Sequence, residues 1–163
     1  MVDFIYTGIG SRETPEAVTR LMTRTAKKMA ISGYTLRSGG AKGADTAFEK
    51  GAGDQKEIYL PWLGFNGSKS KLLPTEAAFK MAAQFHPAWH NCNETARAFH
   101  ARNCHQVLGH DLKTPTMLII CWTEAGLMGG GTGQALRIAK EYDIRVDNLA
   151  IPEVATRYVR DFS

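Results

Sequence analysis

Only three cysteines, Cys92, Cys104 and Cys121, occur in the 163 residues, an odd number with no CxxC pair. A disulfide framework is thereby excluded, and the thiols read as reduced side chains of a cytosolic protein. No apolar stretch approaches the roughly 20 residues that span a bilayer, so no membrane is expected as a partner. The opening Met1-Val2-Asp3-Phe4-Ile5-Tyr6 lacks the basic region and long apolar core of a signal peptide. No run of five like charges occurs, which excludes a DNA-coating tail. Repeats and low-complexity tracts are absent too, which removes solenoids and linkers. The P-loop pattern GxxxxGK[ST] is missing. The dinucleotide fingerprint GxGxxG is incomplete, because Gly8-Ile9-Gly10-Ser11-Arg12-Glu13 lacks its third glycine. No cofactor is therefore expected.

What remains is an ordinary globular composition, 44% apolar and 22% charged, with a length that suits one domain over residues 1–163. Lys and Arg outnumber Asp and Glu by 20 to 16, for a net charge of +4 and a pI of about 9.0. That surplus permits a nucleic-acid partner without requiring one. Met1–Tyr6 reads as a first strand, and the apolar run Phe4–Thr7 ends in the tight turn Gly8-Ile9-Gly10. A helix follows, with Thr14 as its cap, Pro15 at its first position, Val18, Leu21, Met22, Thr25 and Met29 on one face, and Gly33 as its stop. Tyr34–Arg37 and Glu57–Leu60 read as strands around a helix over 45–50. The stretch Met117–Trp122 is the most apolar and the best central strand, and Arg145–Ile151 reads as the last. Helices are expected over 75–84, 94–108, 134–142 and 152–162. Alternation of this kind predicts an α/β, Rossmann-like three-layer sandwich: a mostly parallel sheet of five or more strands with helices on both faces. Residues 62–95 break the rhythm and read as an insertion on the ligand face.

Three loops leave the carboxyl ends of strands, Gly8–Arg12, Ser38–Asp45 and Thr123–Thr132, and in an open α/β sheet those ends converge on one crevice. Glycines let backbone approach a ligand closely, and each loop delivers a helix N-terminus suited to an anion. The candidate phosphate-binding residues are Gly10, Ser11, Arg12, Arg37, Ser38, Gly39, Gly40, Lys42, Gly43, Gly130, Gly131 and Thr132. Arg12 offers a planar fork and Lys42 a point charge. Asp45 reads either as a cap or as an acceptor for a sugar hydroxyl.

The segments Gly8-Ile9-Gly10-Ser11-Arg12, Ser38-Gly39-Gly40-Ala41-Lys42-Gly43-Ala44-Asp45-Thr46-Ala47, Arg102-Asn103 and Gly130-Gly131-Thr132-Gly133 resemble the Rossmann domain of the DNA-processing protein A (DprA) family. That family shares a SLOG-type nucleotide-binding superfamily with the LOG nucleoside-monophosphate hydrolases. The resemblance covers about residues 3–60 and 97–151. It implies a binding protein that holds single-stranded DNA, with a role in recombination, through Arg12, Ser38, Gly39, Lys42, Gly43 and Asp45, with Arg102 and Asn103 nearby. The LOG branch implies instead a glycosidase with a PGGxGTxxE motif. Here Met128 replaces the proline, and after Gly129–Gly133 no glutamate comes until Glu141, which argues against hydrolysis by that route. Glu13, Glu49 and Glu124 are the substitutes to consider. A receptor or sponge for a free nucleotide is the third reading, and self-association is compatible with all three.

Single-strand binding also calls for aromatic platforms. Trp62, Phe65, Trp89, Phe99 and Trp122 are the candidates, although aromatics at such positions more often serve the core. His86, His90, Cys92, His100, Cys104 and His105 crowd a short stretch. Neither group matches a finger spacing, Pro87 interrupts the first, and His100 with Cys104 is what helix packing alone would give. No metal is assigned, and the histidines read as surface residues.

Overall fold

The computed structural model describes residues 4–163; Met1, Val2 and Asp3, read as the start of the first strand, lie outside the described residues. Five strands, β1 (Ile5–Gly8), β2 (Thr35–Ser38), β3 (Lys56–Ile58), β4 (Leu118–Cys121) and β5 (Arg145–Asn148), form one parallel sheet in the order β3-β2-β1-β4-β5. Six α-helices accompany them: α1 (Glu16–Ile31), α2 (Ala44–Ala52), α3 (Glu76–Phe85), α4 (Glu94–Leu108), α5 (Gly133–Glu141) and α6 (Pro152–Phe162). Among the described residues the sheet is thus wholly parallel and five-stranded, with helices on both faces, a Rossmann-like α/β architecture. The strand order reverses between β1 and β4, where the chain leaves one half of the sheet for the other. Among the described residues no helix is long and apolar enough to cross a membrane.

Strand parity divides the core into two layers. Tyr6, Leu36, Ile58 and Ile120 point to one side and pack with Leu21, Met22, Phe48 and Tyr158 of α1, α2 and α6. Ile119 and Cys121 point to the other and pack with Ala78, Ala82, Ala101, Cys104, Leu136 and Ile138 of α3, α4 and α5. The segment between β3 and α4 therefore does more than decorate the ligand face: α3 buries Ala78 and Ala82 completely against the second layer.

Local chemistry sets the element ends; most fall within a residue or two of expectation, and three departures have a visible cause. Thr14 does not cap α1; its hydroxyl donates to the Ser11 carbonyl at 2.6 Å, and Pro15 occupies the cap position without a side-chain bond. The third strand stops at Ile58 because the Leu60 amide turns away to the Leu72 carbonyl at 2.9 Å. The last strand stops at Asn148, whose Oδ1 accepts the Ala150 amide at 3.0 Å in an Asx turn. The caps of α3 and α4 are side-chain oxygens: Thr75 Oγ1 accepts the Ala78 amide at 3.2 Å, and Asn93 Oδ1 accepts the Ala96 amide at 2.8 Å.

Candidate phosphate-binding crevice

A crevice of about 790 Å³ opens at the carboxyl ends of β1, β2 and β4. Gly10, Ser11 and Arg12 come from the loop after β1; Ala41 and Asp45 come from the turn into α2; Thr123, Glu124, Leu127 and Gly129–Thr132 come from the loop into α5. The fourth wall is α4, which contributes Phe99, His100, Arg102, Asn103 and Gln106. The loops are tied to one another. The Ser11 amide donates to the Trp122 carbonyl at 3.1 Å, and the Ala44 amide reaches the Ser11 carbonyl at 3.4 Å.

The floor of the crevice holds two buried ionisable side chains, Arg102 and Asp45. Arg102, 6% exposed, donates through Nη1 to the Gly39 and Tyr59 carbonyls and through Nε to Asn103 Oδ1 at 3.0 Å. Asn103 Nδ2 in turn donates to the Gly131 carbonyl at 2.8 Å, so α4 holds the β2 loop and the β4 loop at once. Asp45, 3% exposed, accepts the Ala41 amide at 3.3 Å and braces its own loop. Burial pushes the Asp45 carboxyl up to about 6, against the opposing pull of the Arg102 charge and of the Ala41 and Gly10 amides. Burial likewise lowers Arg102, to about 10.

Above this floor the crevice is cationic and aromatic. Arg12 lies 5.9 Å from the centre of the Phe99 ring, and Arg102 lies 5.3 Å from it on its own helix. Trp62, Phe65 and Phe99 form a trio of edge-to-face contacts with centroids 5.3–5.5 Å apart. The trio divides the expected platforms. Phe65 is core and Trp62 is half exposed, while Phe99 lines the crevice. Trp122 packs against the core, and Trp89 lies under the Arg97 guanidinium, 5.0 Å away. At the head of α5 the amides of Gly130, Gly131 and Thr132 donate to no backbone oxygen among the described residues. They precede a nine-residue helix, where an anion is favoured by both the free N–H groups and the helix dipole.

Six candidate residues do not line the crevice. Arg37 is 2% exposed, and strand parity turns it under the sheet, where it donates to the Thr114 carbonyl at 2.6 Å and lies 3.4 Å from a Glu57 carboxylate oxygen. Ser38 donates to the Gly8 carbonyl at 2.6 Å and closes β1 onto β2. Gly39 is where α4 comes closest, since a Cβ there would fall 2.2 Å from Gln106 Nε2 and 2.4 Å from Arg102 Nη1. Gly40 lies against Leu60, and Lys42 is exposed outside the cavity. Gly43, at φ +84°, fits the α2 turn under the Ser11 and Arg12 backbone. Of the substitute glutamates, Glu13 and Glu124 line the crevice, whereas Glu49 pairs with Lys56 at 2.9 Å elsewhere. Gln106 is not among the candidates, yet with Phe99, Arg102 and Asn103 it follows the i, i+3/i+4, i+7 spacing of one helical face.

No protein-family model matches the chain, and no curated protein matches it. Among solved structures it is similar to DNA processing protein A from Helicobacter pylori, at a TM-score of 0.59 and 15% identity. The match covers 90% of this chain and 65% of that one, so this chain spans less than two thirds of the length of the solved chain. That protein's structure was described for its single-stranded DNA binding mode. At this identity the likeness carries the fold.

Proposed function

We propose that this chain binds single-stranded DNA in the crevice between the β1, β2 and β4 loops. The observation that carries the reading is the Arg12 guanidinium over Phe99, in the same cavity as the head of α5, whose amides at Gly130, Gly131 and Thr132 donate to no backbone oxygen among the described residues. A phosphate placed there meets a fork donor and a helix N-terminus, and the neighbouring base meets an aromatic ring. The likeness in fold to a protein that binds single-stranded DNA supports the same reading. Asp45 and Arg102 serve as scaffold in it: they fix the loops and leave contact with the ligand to Arg12, Phe99 and the α5 turn.

A free nucleotide is the second reading, because a crevice of about 790 Å³ falls within the roughly 300–1,000 Å³ of small-ligand sites. Glycosidic cleavage has less support. Gln134, in the first turn of α5, is fully buried and donates to the Ala82 carbonyl at 3.1 Å, so that turn presents no carboxylate. Fluorescence polarisation of labelled oligo-dT across a salt series, with unlabelled mononucleotides as competitors, separates these readings. Strand binding predicts micromolar or tighter affinity that falls with salt and resists mononucleotides. Arg12→Ala should flatten the log–log salt slope by about 0.7, the share of one phosphate on a single strand. Displacement by mononucleotides transfers the site to a free nucleotide, and release of free base from a monophosphate panel reinstates the enzyme.

A further inference from the structure

Beside the crevice the fold gathers three side chains that phosphate binding does not use. His86 ends α3, Cys92 ends the one-turn 3₁₀ segment Trp89–Asn91, and His100 sits on α4. Their ligand-type atoms all lie within 4.8 Å of one another. Cys92 Sγ is 3.8 Å from His86 Nε2, and the two imidazole centroids are 4.3 Å apart. From this geometry we propose that His86, Cys92 and His100 form a Cys-His₂ site for a zinc ion, with its fourth position turned toward the crevice.

The donor set matches the metal. Zn²⁺ takes thiolate and imidazole at about 2.3 Å and about 2.0–2.1 Å, which in a tetrahedron sets the donor atoms about 3.3–3.6 Å apart. From separations of up to 4.8 Å the cluster needs to contract by up to about 1.5 Å. Its supports are firm on both sides: α3 is anchored by Ala78 and Ala82 in the core, and the cap of α4 begins one residue after Cys92. Between them Arg97 Nη2 donates to the Trp89 carbonyl at 3.1 Å and holds the connecting turn. His100 Nδ1 is buried and has no hydrogen-bond partner among the described residues, and a buried polar atom of that kind calls for an explanation. A metal bond to this ring would provide one. Burial disfavours the protonated form of both imidazoles.

Two features oppose binding and shape it. His86 Nδ1 accepts the Ala88 amide at 3.0 Å, so ligation through Nε2 requires that bond to be released as Nδ1 takes the proton. Arg137 lies close enough to depress both histidines, and it repels a cation. The Cys92 thiolate, formed as its proton leaves for solvent, offsets one of the two metal charges. The remaining positive charge, beside Arg137 and Arg102, favours an anion in the fourth position. His86 and His100 both line the crevice, so a phosphate oxygen there is the ligand the electrostatics select.

Cobalt(II) titrated into the full chain, without nucleic acid, tests the site directly. The expected result is one Co²⁺ per chain, with the near-ultraviolet thiolate-to-cobalt charge-transfer band and the intense visible bands of four-coordination, both displaced by Zn²⁺. Cys92→Ser should abolish the charge-transfer band. His100→Gln should weaken Zn²⁺ binding by at least the roughly 10- to 100-fold that even an outer-shell change costs. Inorganic phosphate should then shift the visible bands of the cobalt form. No thiolate band in the parent chain, or one that survives Cys92→Ser, overturns the site; if Cys92→Ser does not fold, His86→Gln that binds Zn²⁺ as tightly as the parent overturns it instead. Visible bands indifferent to phosphate overturn the open fourth position. None of these readouts depends on DNA binding, so a failure here leaves the proposed function standing, and the reverse also holds.

Discussion

Gly43→Ala tests whether the two glycine loops are locked together as the crevice requires. Gly43 adopts φ +84° and ψ −120° at the head of α2, a backbone state that costs a residue with a Cβ about 1–3 kcal/mol. The added methyl would also fall 2.7 Å from the Ser11 carbonyl oxygen and 2.8 Å from both Arg12 Cα and the Arg12 carbonyl oxygen. Those atoms are backbone, so the clash can be relieved only by parting the loops, at about 1–3 kcal/mol for overpacking. The sum is about 2–6 kcal/mol. With a urea m-value of about 2 kcal/mol/M, a loss of 4 kcal/mol lowers the midpoint by about 2 M. Gly53→Ala is the matched control, because Gly53 ends the same helix at φ +60° with nothing within 4 Å of the added methyl. With ψ −122° it shares the backbone state of Gly43, so it should cost only that strain, about 1–3 kcal/mol, without the clash. If the two variants unfold at the same urea concentration, the α2 turn does not clamp the Arg12 loop, and the positioning of Arg12 needs another cause.

Three other changes test neighbouring parts of the structure. Arg37→Leu removes the donor to the Thr114 carbonyl and the partner of Glu57; it should lower stability by about 1.5–3 kcal/mol yet leave oligo-dT affinity unchanged, and a loss of binding in a folded variant would return Arg37 to the crevice. Asp45 has its carboxyl raised to about 6 when folded, so it favours the fold most when protonated: wild-type stability minus that of Asp45→Asn should fall as pH rises from about 4 to 6, by up to about 3 kcal/mol, and a gap that stays flat or widens would contradict the burial argument. The same charge opposes phosphate, so oligo-dT should bind wild type more tightly as pH falls from 7 toward 5.5 and bind Asp45→Asn with a weaker dependence, as read by polarisation. Phe99→Ala should weaken oligo-dT by about 1–3 kcal/mol if a base stacks there, while affinity within twofold of wild type would move the platform to Trp62.

The fold was legible because its signals are local and repeated. Short strand-like runs, the first two ending directly in glycine, alternate with period-3.6 stretches, and that alternation along the chain leaves little choice of architecture. Terminal Asn93 and Leu108 of the α4 stretch could be read from a capping residue and a following glycine. Boundaries failed where a single side chain redirected the backbone, as Asn148 does at the end of β5. The contribution of α3 to the core was not legible, since Ala78 and Ala82 carry little hydrophobic signal and are buried by what lies opposite them.

The crevice was legible to the extent that loops announce their own glycines, and it failed where side-chain direction decides. Arg37 and Arg12 read alike as basic residues beside glycine loops. Arg37 stands at a strand position that alternates away from the α1–α2 layer, next to Leu36, which faces it; that parity could have been counted from the sequence and would have sent Arg37 under the sheet. Lys42 shows the opposite error, a loop residue whose side chain has no partner among the described residues and stays in solvent. The α4 wall supplies half of the chemistry and could have been found by projecting Phe99, Arg102, Asn103 and Gln106 onto a helix. The grouping of His86, Cys92 and His100 could not have been found that way. Spacing invites pairing His100 with Cys104 one turn later, but the fold buries Cys104 completely in the second core layer. It brings Cys92 to His100 instead through a turn set by Pro87 and Trp89, and only the packing of α3 against α4 determines where that turn closes.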